Sequence, residues 1–289
     1  MSRLPVLKMH KLFIGGKFTR TESERYLSVV NTSTKKKACN ISRGSRKDIR
    51  NAVSAARAGY EAWSSKTDYE RGQIMYRLAE MLESGRAQIE NELLNCTTYS
   101  RARASKEVLK SIDRIIWYAG FADKWAQLVG TVNSVQSGYF NFSIPEPTGV
   151  VGIILPEDAP FISLVTRICS VIVSGNSCVV IPSEKSPLPA LAFAEIIGTS
   201  DAPFGIINIV TGIKKELLTH LAGHMDVNAI DYADNDKTTK EMIKKECSRN
   251  VKRFTGSYSN DYFNDEEHET LRNIENFTEL KTVWHTMGT

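Results

Sequence analysis

Five cysteines, Cys39, Cys96, Cys169, Cys178 and Cys247, are the strongest nucleophiles this sequence offers, and thiolate attack is the first chemistry to test against it. They are scattered, form no Cys-x-x-Cys pair, and two of them, Cys169 and Cys178, lie in strongly apolar segments. Such surroundings predict reduced, buried thiols with a structural role. Glu216, His220 and His224 recur at four-residue steps, which places all three on one face of a helix where they could ligate zinc. No fourth ligand accompanies them, so no metal site is assigned. Basic residues cluster at Lys35, Lys36 and Lys37 and again at Lys244, Lys245, Arg249, Lys252 and Arg253. Neither cluster is interleaved with base-stacking aromatics, and both read as solvated faces, not as nucleic-acid surfaces.

The elements that must carry these residues follow from periodicity. The chain has 289 residues, 42% of them hydrophobic, and a formal net charge of +4, which suits a globular protein with one or two ordinary cores. The segment Met1 to Lys8 has no apolar core long enough for a signal peptide, and no later run approaches the roughly 18 apolar residues that span a bilayer, so no membrane association and a cytoplasmic address are expected. Leu12 to Phe18 is a compact β-like run broken by Gly15 and Gly16. Helical stripes follow: Ile49, Ala52, Val53, Ala56, Tyr60 and Trp63 behind a capping-box start at Ser45 and Asp48, then Ile74, Leu78, Met81 and Leu82 from about Thr67. A third helix is expected from about Ser105 to near Gly130.

From Gly149 onward, short β-rich runs alternate with amphipathic stretches. Strands are predicted over 150–155, 177–181, 206–210, 228–231 and 251–254, with helices over 160–173, 188–197, 216–222 and 238–245 between them. The uncharged run Cys178-Val179-Val180-Ile181 fits a sheet covered on both faces. The predicted fold is α/β, with a doubly wound, Rossmann-like parallel sheet. Gly138 to Ile144 and Asn276 to Trp284 stand outside it as alternating strands, and the second of these is expected to pair between subunits or with the Tyr139 to Ile144 segment.

Several separate segments resemble the aldehyde dehydrogenase superfamily: Phe13 to Phe18, Trp117 to Ala122, Glu146 to Gly152, Ser174 to Ser177 running on to Pro182-Ser183-Glu184, Pro203 to Gly212, and Phe277 to Val283. Within that superfamily the chain looks most like the non-catalytic second half of the tandem-domain branch. The resemblance implies a discontinuous nucleotide-binding-type domain over 1–136 and 147–257 and a small β oligomerisation arm from 137–146 and 258–289. It also implies that the catalytic domain is absent, because the chain passes from Phe254 through a short polar segment to its last strand.

The family's chemistry needs a cysteine nucleophile, an oxyanion donor and a glutamate base. None of the five cysteines matches the nucleophile, so no catalytic residue is assigned. Thr255-Gly256-Ser257-Tyr258-Ser259 stands where the base is expected, and Asp158 replaces the asparagine of the oxyanion turn. For the cofactor, the resemblance points to Ile154, Leu155, Pro156, Pro182, Ser183, Glu184 and Gly212 as what is left of a degenerate site. Ile181 occupies the ribose-binding lysine position, Lys214 and Leu218 occupy glycine positions, and Tyr232 to Asp236 replaces the pyrophosphate turn. NAD(P) is therefore a possible ligand of a weakened site and no cofactor is expected to bind well. The expected function is a pseudo-enzyme subunit that assembles with itself or with a catalytic aldehyde dehydrogenase. One alternative is a subunit of an NAD-dependent aldehyde-oxidising complex whose cysteine comes from a partner chain. Another is a binding module that uses the cleft near Glu184 and Asp234 for a cationic or neutral ligand.

Overall fold

The computed structural model describes residues 7–136, 138–256 and 259–287. The chain opens with β1 (Met9–His10), β2 (Leu12–Ile14) and β3 (Lys17–Thr19). Gly15 and Gly16, at φ 60° and 73°, close a two-residue hairpin between β2 and β3. Both central residues of such a turn need a left-handed backbone, which glycine adopts without steric cost. Strands β4 (Tyr26–Val30) and β5 (Lys37–Ser42) pair antiparallel, and β1 adds parallel to β5, giving a small three-stranded sheet absent from the sequence reading.

Helices α1 (Arg46–Ser64), α2 (Asp68–Cys96) and α3 (Arg101–Phe121) follow. Ser45 and Asp48 form the expected capping box on α1, and Thr67 with Glu70 forms another on α2. The third helix does not run unbroken to Gly130: it ends at Phe121, and a separate short helix, α4 (Trp125–Val129), buries Trp125.

After β6 (Thr131–Asn133) and β7 (Tyr139–Pro147), the alternating units begin: β8 (Val150–Ile154), α5 (Pro160–Ile172), β9 (Ser177–Ile181), α6 (Leu188–Thr199), β10 (Ile207–Ile209), α7 (Lys214–Ala222), β11 (Ala229–Tyr232), α8 (Lys237–Cys247) and β12 (Arg253–Thr255). The main sheet runs β12-β11-β8-β9-β10-β2-β3, parallel through β10 and closed by the antiparallel hairpin. Strand periodicity assigns the two faces. Val150, Ile154, Val179, Ile181 and Ile230 pack with Ile49, Val53, Leu217, Leu221 and Ile243 from α1, α7 and α8. Val151, Ile153, Cys178, Val180 and Ala229 pack with α2, α3, α5 and α6. Both faces are thus covered, which explains the uncharged strands.

The chain ends with α9 (Asp265–His268), α10 (Leu271–Glu275) and β13 (Thr278–Thr286). Strand β13 pairs antiparallel with β7 of the same chain, from Thr278 opposite Pro147 to Thr286 opposite Tyr139, and β6 lies on the other side of β7. Of the two pairings open to the terminal strand, the one within the chain is realised. Residues 259–277, grouped with the arm on sequence grounds, pack instead on the main body. Tyr262 joins Ala159 and Ile162, while Ile274 and Phe277 enter the main core. No helix among the described residues is long and apolar enough to cross a membrane.

Candidate cofactor cleft

In an open parallel sheet, ligands bind beyond the carboxyl ends of the strands, where helix N-termini converge. Here a cleft of about 440 Å³ lies at that edge, lined by Ile154, Glu184, Lys214, Leu218, Tyr232, Asp234, Asp236, Thr239 and Met242, among others. Its apolar floor comes from the ends of β8 and β11 and from α7 and α8. Its rim is charged.

Three helix N-termini at this edge are capped by the chain's own carboxylates. The backbone N–H groups of Phe161 and Ile162, in the first turn of α5, donate to Glu107 Oε1 at 2.8 and 3.1 Å. Burial pushes the Glu107 carboxyl up, against the pull of these two donors. The first N–H of α7, on Lys214, donates to Glu184 Oε2 at 2.8 Å. At α8, Thr239 N–H donates to Asp236 Oδ2 at 2.7 Å, and bonds from Thr239 hold that carboxyl below its ordinary range. Each carboxylate occupies the end of a helix dipole, the place an anionic ligand would take.

A lysine spans the remaining opening. Lys214 Nζ donates to Leu155 O at 2.6 Å and forms an ion pair with Glu157. The Glu157 carboxylate also accepts from Ser183 Oγ at 2.7 Å and Lys185 N at 2.9 Å. Burial alone would raise the Glu157 carboxyl, but the Lys214 ammonium and these donors hold it below the usual carboxylate range. Lys214, Glu157, Ser183 and Glu184 thus form one network joining three loops.

The residues assigned from sequence have the following places. Ile154 and Glu184 line the cleft, Leu155 supplies the carbonyl bound by Lys214, and Ser183 donates to Glu157. Pro156 and Pro182 are buried just beyond the ends of β8 and β9. Gly212 does not line the cleft. It is buried against the backbone of Gly44, and a Cβ there would lie 2.9 Å from Leu217 Cδ1 and 3.1 Å from Gly44 N, so a side chain would press on both neighbours. Glu107, Glu157, Thr239 and Met242 escaped the sequence reading. Thr239 and Met242 share one face of a predicted helix, a spacing that could have marked them, whereas Glu107 and Glu157 gave no local signal.

Asp158, in the turn before α5, is exposed, and Ala159 beside it has φ 47°, a left-handed backbone that costs a non-glycine residue energy. Thr255 ends β12 and donates to Asp231, while Ser257 and Tyr258, which complete the position expected for a base, lie outside the described residues. All five cysteines are buried and free. Burial pushes the Cys39 and Cys247 thiols up to about 11 and Cys96 up to about 12, and it raises Cys169 and Cys178 as well. A buried thiol that resists ionisation is a poor nucleophile. Glu216 is engaged by Arg43, and His224 Nδ1 accepts from Asp226 N at 3.2 Å.

The aldehyde dehydrogenase family model matches residues 18–258. This chain belongs to the aldehyde dehydrogenase family. It is 30% identical over 256 residues to omega-crystallin of Enteroctopus dofleini, covering 87% of this chain and 51% of that protein. To cytosolic aldehyde dehydrogenase 1 of Elephantulus edwardii it is 30% identical over 249 residues, covering 85% of this chain and 49% of that one. The fold matches that of an aldehyde dehydrogenase from Bacillus cereus solved in complex with NAD+, with a TM-score of 0.81 at 24% identity over 86% of this chain and 50% of the other. The chain therefore spans about half the length of the aldehyde dehydrogenase relatives it matches, and the half it matches has the family's nucleotide-binding fold.

Proposed function

We propose that this chain is a non-catalytic member of the family, a structural or regulatory subunit that assembles with itself or with a catalytic aldehyde dehydrogenase. The observation that carries this reading is the self-capped cleft. A dinucleotide's diphosphate needs free helix-end donors and close backbone approach. Here Glu184 and Asp236 already hold the donors of α7 and α8, and Lys214 fills the space between them. An entering diphosphate would have to displace two carboxylates and would meet the negative charge of Asp234 and Asp236. The residues present do not fit that group, and no reaction step is derived through it.

The cysteine environments support the same reading, since no thiol combines exposure with a depressed pKa. Support for assembly comes from the arm. Phe140, Ile144 and Val132, on one face of its three-stranded sheet, are exposed, as are Tyr139, Leu280 and Trp284 on the other. The test is an assay of the purified chain with NAD+ and short or aromatic aldehydes. No turnover above background is expected. A rate of about 1 per second or more, in the range of ordinary enzymes, would overturn the proposal.

A further inference from the structure

The outer face of α1 and α7 carries a second groove, separate from the cleft at the sheet edge. Two cavities of about 580 and 490 Å³ run into one another there, sharing Arg46, Arg50 and His220. Arg46 and Arg50 stand one turn apart on α1, and His220 stands opposite on α7, with His224 just beyond that helix's end. Arg25 and Lys47 border the first cavity and Arg249 the second. Acidic residues are present, but each is neutralised locally. Glu216 pairs with Arg43, Glu246 with Arg249, and Glu22 outside the groove with Lys47. Arg25, Arg46 and Arg50 form no close ion pair among the described residues, and of the three only Arg25 acts on Glu216, which Arg43 already pairs, so positive charge predominates in the groove. The N-terminus of α1 is closed by its own capping box, and the side chains would hold the ligand.

We propose that this groove binds a small ligand carrying two or more phosphoryl groups. Guanidinium forks match phosphoryl oxygens in pairs, and a single carboxylate would leave most of the local positive charge unbalanced. The two cavities together reach the size of an ordinary small-molecule site. Neither is lined by Phe, Tyr or Trp, so the groove lacks the broad rings on which successive bases of a nucleic acid stack best. The groove draws on residues 25–50, 216–224 and 246–249, so only folding assembles it.

The probe is inorganic tripolyphosphate, titrated calorimetrically into the full chain at low salt, with inorganic monophosphate in parallel. Binding of tripolyphosphate is expected, at least tenfold tighter than monophosphate. The double variant Arg46→Gln/Arg50→Gln should weaken it tenfold or more, and Lys244→Gln/Lys245→Gln, in the other basic cluster, should leave it unchanged. Arg25→Gln, altering an exposed side chain before β4, should weaken binding severalfold and serves if the double variant fails to fold. Equal losses in the Lys244/Lys245 and Arg46/Arg50 variants, equal affinity for monophosphate, or no measurable binding of tripolyphosphate would each overturn the proposal. So would displacement of tripolyphosphate by lower concentrations of a single-stranded oligonucleotide, which would point to a nucleic acid.

Discussion

Acid should loosen this protein through His268, and the size of the effect follows from where that ring sits. His268 is fully buried and stacks on Tyr262, with ring centroids 4.4 Å apart and planes at 10°. No side chain among the described residues hydrogen-bonds either ring nitrogen. Burial, then the nearby Arg114 and Arg167 guanidiniums, lower its pKa from 6.5 to about 4, against weaker opposing effects of the Ser259 backbone and Asp261. Because the folded value is depressed, the neutral ring's contribution is fully present above pH 6.5 and is lost as pH falls from 6.5 to about 4. At about 1.4 kcal/mol per pH unit, that interval corresponds to a loss of about 3 kcal/mol from this one group. His10 is lowered to about 4 as well, mainly by burial and then by Lys8, so total acid lability cannot identify His268. The variant His268→Phe keeps a ring for Tyr262 and removes the titrating group. Urea unfolding followed by circular dichroism at pH 7, 6, 5 and 4 should show the wild type losing about 3 kcal/mol more than the variant. Parallel losses in the two proteins, or a His268 ring titrating near 6.5 by NMR, would refute the reasoning.

Asp231→Asn should destabilise the fold by about 3–5 kcal/mol, because it leaves the fully buried Arg167 without the carboxylate that Nε binds at 2.7 Å; urea unfolding at pH 7 measures this, and a loss under about 1 kcal/mol contradicts it. In the native protein none of the five cysteines should react rapidly with a thiol reagent at pH 8, and all five should react once the chain is unfolded. A native thiol reacting at the rate of a free cysteine would contradict the burial argument. Removing residues 278–289, which spares the core residue Phe277, takes away β13 and opens the nine-residue β7 edge, so the truncated chain should form a smaller assembly or an aggregating monomer. An unchanged sedimentation mass with a melting temperature within about 2 °C of the intact chain speaks against a role for the arm.

The sequence made the layered fold readable wherever a local signal carried it. The Ser45 and Asp48 capping box, the glycine pair of the first hairpin and the uncharged strands each follow from the residues within one element. What stayed hidden depends on distant pairings. Glu184 was legible as a retained family residue, but not its bond to Lys214, 30 positions along the chain; Glu107 reaches Phe161 across 54. Strands β4 and β5 escaped the sequence reading because each is short and the polar run 31–36 separates them; Ser28 and Asn40 pair on the outward face while Leu27, Val29, Cys39 and Ile41 pack inward. The polar composition after β12 concealed Tyr262 and His268, whose burial arises from packing against α5 and from stacking on each other, not from a hydrophobic run.

Occupation of the cleft at the carboxyl edge of the sheet by the protein's own side chains can be measured by calorimetric titration of NAD+ into the purified chain at pH 7. A dissociation constant weaker than about 1 mM is expected, because the ligand must displace Glu184 and Asp236 and dislodge Lys214 before its diphosphate finds a donor. A dissociation constant in the low micromolar range would contradict it.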